Sequence, residues 1–187
     1  YIKKNNKILK GPPRNRVRCL KGMSWPAWEF FNVNIMLDNG IGNTSNQIAG
    51  VRPMPLNATR GCPYRCTFCS NPNMWGQLWR ARPVEDVTAE MKYLNNKYGA
   101  NHFDFTDLTL AVKKSWLTDF CNQMIKEKIP ITWGLPSGTR SEVLDYEMLS
   151  LLRKAGLNDI DYAPESGSKK ILEVMKKQIS VPKVLNS

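Results

Sequence analysis

The sequence predicts an α/β fold in which parallel strands alternate with helices, as an open sheet or a barrel. Three observations lead there. From residue 51 onward, short apolar runs of strand length alternate with longer stretches whose apolar residues recur at helical spacing. Proline, glycine or serine marks the boundaries of those stretches. Four strand-helix units follow one another, and consecutive parallel strands are joined by crossovers that are right-handed in nearly all proteins.

The first strand is predicted in "MPLNATR", a buried run leading into a loop with three cysteines. Beyond the loop, Pro83 falls where a first helical turn tolerates proline, and Glu85 and Asp86 suit the positive helix start. Val84, Val87, Met91, Leu94 and Tyr98 share one face of that helix, and Gly99 stops it. "HFDF" is the second strand, with Phe103 and Phe105 on one side, Asp107 just past its carboxyl end and Asp104 directed to the other side from Asp107. A stripe of Trp116, Leu117, Phe120, Cys121, Met124 and Ile125 predicts the second helix, broken at Pro130. "ITWGL" is the third strand, and Leu144, Met148, Leu151 and Leu152 belong to a third helix ended by Gly156. "NDIDYA" is the fourth strand, and Ser168 caps a fourth helix carrying Ile171, Leu172 and Met175.

Residues 1–50 read differently, as a basic linker with a docking segment ahead of a core spanning 51–187. Gly11, Pro12 and Pro13 break the start, "DNGIGNTSNQ" is turn-forming, and Trp25, Trp28, Phe30 and Phe31 are expected to pack. The 187 residues suffice for one domain with a core. A chain that opens at Tyr1 and closes on "SVPKVLNS", without an evident final element, reads as a fragment.

The formal charge is +11, yet residues 1–21 contribute eight bases and no acid, leaving 19 bases against 16 acids elsewhere. "KKNNK" and "GPPRNR" lack interleaved aromatics, so a solvated linker is favoured over a nucleic-acid arm. No apolar run approaches the roughly 20 residues of a membrane span, and no signal peptide is evident, which fits a cytoplasmic protein.

Five cysteines, three of them within "CPYRCTFC", argue against a disulfide framework and for metal ligation in a reducing compartment. Structural zinc takes four ligands, commonly from two C-x2-C knuckles, and no second knuckle exists. Cys19 sits in the basic linker, Cys121 on a helical stripe, and the only histidine, His102, opens a strand; all three read first as core or surface residues. An iron-sulfur cubane held by three cysteines would leave one iron open for chemistry.

"GCPYRCTFC", with Phe68 directly ahead of the third cysteine, resembles the signature of the radical S-adenosylmethionine (SAM) superfamily. "RGCPYRCTFCSNP", "WRARPVEDVTAEM" and "YAPESGS" resemble its cobalamin-dependent branch, over roughly residues 51–178. The resemblance implies a partial TIM-like (β/α) barrel, here about four strand-helix units of the usual six. It implies that Cys62, Cys66 and Cys69 ligate three irons of a 4Fe-4S cluster and that S-adenosyl-L-methionine chelates the fourth. Reductive cleavage of that cofactor would give methionine and a 5'-deoxyadenosyl radical, which takes hydrogen from a small-molecule substrate. The reductant would be a protein such as flavodoxin or ferredoxin.

By the same resemblance Phe68 lies near the adenine, Asp107 near the cofactor ammonium, and Glu165 and Ser166 near the ribose or amino group. Arg140 is a candidate for the cofactor carboxylate, because a planar guanidinium matches it with two bonds. Leu108 stands where relatives often carry a second acid, and Ala163 where they carry glycine. Trp75 and Trp79 are candidates for the wall of the site or for ordinary packing. No D-x-H-x-x-G motif occurs, so cobalamin, if used for methyl transfer or cyclisation, would be bound by a domain ahead of Tyr1. Two alternatives stay open: a non-catalytic iron-sulfur electron-transfer or structural module, and a radical tRNA-modifying enzyme.

Overall fold

The computed structural model of the chain describes residues 1–12, 15–39 and 50–186. The turn-rich stretch at residues 40–47 therefore lies outside the described residues, as does Arg14.

The N-terminal region holds more structure than its sequence suggested. Strands β1 (Ile2–Lys4) and β2 (Lys7–Leu9) form an antiparallel hairpin with Ile2 opposite Leu9. Its two-residue turn places Asn5 and Asn6 at φ 49° and 59°, and asparagine tolerates the left-handed region well. A single 3-10 turn at Trp28–Phe30 precedes helix α1 (Val33–Asp38), whose start is capped by the Asn32 side chain. Trp28 and Trp25 dock this region by donating from Nε1 to Glu90 at 2.9 Å and Asp86 at 2.8 Å. Phe30 does not pack as expected and is 86% exposed; Phe31 is also largely in solvent. Arg16, in the basic stretch, donates to the Met74 carbonyl at 2.7 Å.

Strand β3 (Pro53–Leu56) leads into β4 (Thr59–Arg60), then α2 (Asn71–Met74) and β5 (Arg80–Ala81). Helix α3 (Val84–Tyr98), β6 (His102–Phe105), α4 (Lys114–Glu127), β7 (Thr132–Thr139), α5 (Tyr146–Lys154) and β8 (Leu157–Tyr162) follow. Helices α6 (Lys169–Val174) and α7 (Val181–Leu185) end the chain, α7 forming where no closing element was expected. The four long-range strands pair in the order β3-β6-β7-β8, all parallel, and each crossover carries a helix. This is the connectivity of a partial TIM-like barrel, with β3 and β8 at its edges among the described residues.

Helix boundaries follow local chemistry. Pro83 precedes the first turn of α3 instead of sitting in it, and Gly99 ends that helix in the left-handed conformation at φ 71°. Asp145 caps α5, so Leu144 stands just outside the helix, though still buried. Ser168 caps α6 as expected. The third strand runs four residues past "ITWGL", with Gly138 at φ 78° and an irregular register before Thr139. That extension delivers Arg140 to the carboxyl end of the sheet.

The core lies between the sheet and helices α3, α4 and α5. Phe103, Phe105 and Trp133 project to the helix side, and the Phe105, Phe120 and Trp133 rings meet edge-on at centroid distances of 5.3 to 5.6 Å. Each such ring buries about 150–250 Å², which at about 25 cal/mol per Å² is a gross gain of several kcal/mol.

Candidate active site

At the carboxyl end of β3 the chain turns through residues 57–58 into β4, which pairs with β5 and so closes the base of the cysteine loop at residues 61–79. Gly61 begins the loop at φ 86°, where a Cβ would stand 2.3 Å from the Leu78 carbonyl oxygen. Only glycine fits there without moving backbone. Asn71, 1% exposed, ties the loop internally by donating from Nδ2 to the Cys62 carbonyl at 3.0 Å and the Gly76 carbonyl at 3.3 Å. Its backbone N–H donates to Cys69 Sγ at 3.4 Å, and the Cys69 N–H donates to the Cys66 carbonyl.

Cys62, Cys66 and Cys69 are all half-buried. Burial raises the Cys62 pKa, the Tyr64 backbone N–H and Arg140 oppose that rise, and Cys66 and Cys69 add to it. The three thiols all lie on the one loop between β4 and β5. They are spread too widely for one ion: among the described residues, only His102, Asp104 and Asp159 bring three donor atoms within 4.8 Å of one another. A cubane distributes its thiolates over separate irons, so the loop's donor set suits a cluster better than a single zinc ion. Cys121 is enclosed in the core, where burial pushes its thiol up to about 12, and Cys19 is exposed on the N-terminal arm.

Of the other predicted residues, Arg140 lies closest in chemistry to the thiols. It is 4% exposed, stacks over the Tyr64 ring at 3.6 Å, pairs with Glu142 and donates to the Gln178 carbonyl at 2.7 Å. Its Nε has no hydrogen-bond partner among the described residues. Phe68, Glu165 and the segment after α6 also converge. The Thr67 N–H donates to the Met175 carbonyl at 2.9 Å, Lys177 pairs with Glu165 at 2.9 Å, and Lys177 Nζ stands 5.7 Å from the centre of the Phe68 ring. Lys176 and Gln178 both have left-handed backbone, at φ 52° and 50°, as does Glu165 at 65°. Such conformations are costly outside glycine and collect where surrounding structure enforces them.

Asp107 stands where the end of β6 meets the start of the cysteine loop. It is buried, and its carboxylate accepts from the Ala58 N–H at 3.2 Å and from both the N–H and hydroxyl of Thr59. It therefore clamps the start of the cysteine loop to the end of β6. Ser166 makes a local turn, its hydroxyl accepting from the Ser168 N–H at 3.1 Å. Trp79 is a packing residue, with Nε1 on the Thr109 carbonyl and its ring edge-on to Trp116. Trp75 lies beneath Arg60.

Lys177, Tyr64 and Asn71 were not anticipated. The first is an ordinary lysine past a helix end, and its burial arises only when α6 folds back on the loop. A cleft of about 810 Å³ opens beside this junction, between Pro63, Arg65 and Gln77 on the loop and Leu172, Ile179 and Pro182 on the C-terminal segment.

Comparison with known proteins matches a long segment that includes this loop. The sequence model described as "Radical SAM superfamily" matches residues 56–187. The chain is 29% identical over 165 residues to cytidylyl-2-hydroxyethylphosphonate methyltransferase of Streptomyces wedmorensis, covering 87% of this chain and 30% of that protein. It is 33% identical over 149 residues to anaerobic magnesium-protoporphyrin IX monomethyl ester cyclase of Cereibacter sphaeroides, covering 77% and 24%. Among solved structures, the radical S-adenosylmethionine methyltransferase TsrM of Kitasatospora setae, with cobalamin and a [4Fe-4S] cluster bound, is similar in fold. The TM-score is 0.63 at 17% identity, over 71% of this chain and 27% of that one. The chain thus spans less than a third of the length of these relatives.

Proposed function

The chain belongs to the radical SAM superfamily, and from that premise we propose that it is the core of an enzyme that cleaves S-adenosyl-L-methionine at a 4Fe-4S cluster. The observation that carries this reading is that three half-buried cysteines, Cys62, Cys66 and Cys69, lie on one loop closed by the β4–β5 pair at the carboxyl end of the sheet, the end where open α/β folds carry function.

Cys62, Cys66 and Cys69 would hold the cluster, with the Asn71 N–H donating to the Cys69 sulfur. When bound, the cluster supplies an electron for reductive cleavage of the cofactor to methionine and a 5'-deoxyadenosyl radical. Arg140 is the residue suited to the cofactor's carboxylate, since its planar guanidinium matches a carboxylate and its Nε–H has no hydrogen-bond partner among the described residues. The exposed Phe68 ring offers an apolar face to the adenine, with Glu165 and Ser166 alongside for polar contact. Asp107 holds the loop entrance through Ala58 and Thr59.

Methyl transfer or cyclisation with cobalamin is the finer reading, supported by the methyltransferases and cyclases the chain resembles. Cobalamin would be bound by residues outside this chain. We assign a small-molecule substrate, a flavodoxin- or ferredoxin-type reductant and a cytoplasmic setting. No helix among the described residues is long and apolar enough to cross a membrane.

Anaerobic reconstitution with iron and sulfide, followed by reduction and electron paramagnetic resonance with and without S-adenosylmethionine, tests the assignment. A reduced-cluster signal that shifts on adding the cofactor and is lost in Cys66→Ala is the expected outcome. An intact signal indifferent to the cofactor would instead favour a closed electron-transfer cluster.

A further inference from the structure

A second polar cluster lies at the other end of the strands, on the sheet face turned away from Phe103 and Phe105. His102 opens β6 beside Thr132, and Asp104 and Asp159 flank Gly134 on either side of β7. Strand alternation puts His102 and Asp104 on the same face. His102 is 1% exposed, Asp104 is fully buried, and the Asp159 side chain retains a third of its surface.

The spacing of these groups is that of ligands. His102 Nε2 is 3.4 Å from Asp104 Oδ1 and 3.6 Å from Asp159 Oδ1. Both separations exceed the roughly 2.7–3.2 Å of an N–H···O hydrogen bond. Donors about 2.0–2.1 Å from a tetrahedral ion stand about 3.4 Å from one another.

The histidine is also oriented as a ligand. Its Nδ1 lies 2.7 Å from Thr132 Oγ1, whose hydroxyl points on to the Asn101 carbonyl at 3.5 Å. The hydroxyl is then the acceptor from Nδ1–H, and the Nε2 lone pair faces the carboxylates, as the outer partner of a ligating histidine arranges. Nε2 is buried and has no hydrogen-bond partner among the described residues, and the same is true of Asp159 Oδ1. A lone pair facing two carboxylates, with His102 and Asp104 both enclosed, is a position that a cation would fill. Gly134 completes the cradle, since a Cβ there would lie 2.4 Å from an Asp159 carboxylate oxygen.

We propose that His102 Nε2, Asp104 and Asp159 bind one divalent cation of the zinc class, independently of the cysteine loop. One nitrogen and two carboxylate oxygens suit such an ion, and a fourth position remains for water or an oxygen donor.

The test is calorimetric titration of Zn²⁺ into the chelator-treated full chain carrying Cys62→Ala, Cys66→Ala and Cys69→Ala, so that the loop thiols take no probe. One Zn²⁺ per chain is expected, with affinity falling at least 100-fold in both His102→Gln and Asp159→Asn. Asp159 is partly solvated, so its substitution leaves the fold intact by circular dichroism. Co²⁺ in place of Zn²⁺ is expected to give visible d–d bands without intense thiolate charge-transfer absorption. Absence of Zn²⁺ binding, or binding unchanged by both substitutions, would overturn the proposal and leave a proton-bridged ion triad.

Discussion

Arg140, just beyond the end of β7, holds its guanidinium 3.6 Å from the centroid of the Tyr64 ring inside the cysteine loop. A desolvated cation-π contact of this kind is worth about 2 kcal/mol. Because Arg140 also pairs with Glu142 and bonds the Gln178 carbonyl, single substitutions mix several losses. A double-mutant cycle with Tyr64→Leu and Arg140→Met isolates the stacking. Urea denaturation is expected to give a coupling of about 1–2 kcal/mol. Arg140→Lys should not restore it, since lysine lacks the planar face.

Asp107 predicts a pH dependence. Burial, only partly offset by hydrogen bonds from Thr59 and Ala58, raises its pKa from 3.8 to about 6. The native state therefore holds its proton more tightly than the unfolded chain does. The stability this confers is fully present below about pH 4 and lost as pH rises through 6, a change of about 3 kcal/mol for two units. Asp107→Asn removes the titration. Denaturation of both proteins from pH 4 to 7 should show the variant gaining on the wild type as pH rises, and parallel curves would refute the buried titration.

The sheet and its helices could be read from sequence because their signals are periodic: Phe103 and Phe105 alternate along β6, and Leu117, Phe120, Cys121 and Met124 recur at helical spacing. The cysteine triplet was legible because its spacing is local. The β4–β5 pair is only two residues long on each side and carries no period. The hairpin around Asn5 and Asn6 has strands of only three residues each, too short to show a period. Asp107 illustrates the deeper limit. Its partners are backbone N–H groups at residues 58 and 59, which composition cannot reveal and only the strand register brings together.

Gly61 is the tightest point of the cysteine loop. A left-handed φ of 86° combined with a Cβ 2.3 Å from the Leu78 carbonyl oxygen means that Gly61→Ala must displace backbone on one side or the other. Left-handed strain and overpacking together should cost about 2–4 kcal/mol. Since Cys62 is the next residue, iron content after reconstitution should fall more steeply than the melting temperature alone would suggest. Iron content equal to wild type would show that the loop tolerates the shift.

The Lys177–Glu165 pair predicts an asymmetry between its two partners. The Lys177 side chain is 6% exposed and Glu165 32%, so the two charges do not depend equally on one another. Glu165→Ala leaves a buried ammonium without its carboxylate and should cost about 2–3 kcal/mol, at the low end for a broken buried pair because water reaches the acid. Lys177→Met lets Glu165 turn to solvent and keeps an apolar stem near Phe68, so a cost of about 1 kcal/mol or less is expected. Glu165→Gly loses the same carboxylate as Glu165→Ala but relaxes the backbone strain at φ 65°, and should recover about 1 kcal/mol of that loss. Urea denaturation of the three variants at pH 7 ranks them directly. If Lys177→Met proved the most destabilised, the pair would be held by the lysine's packing and not by its charge.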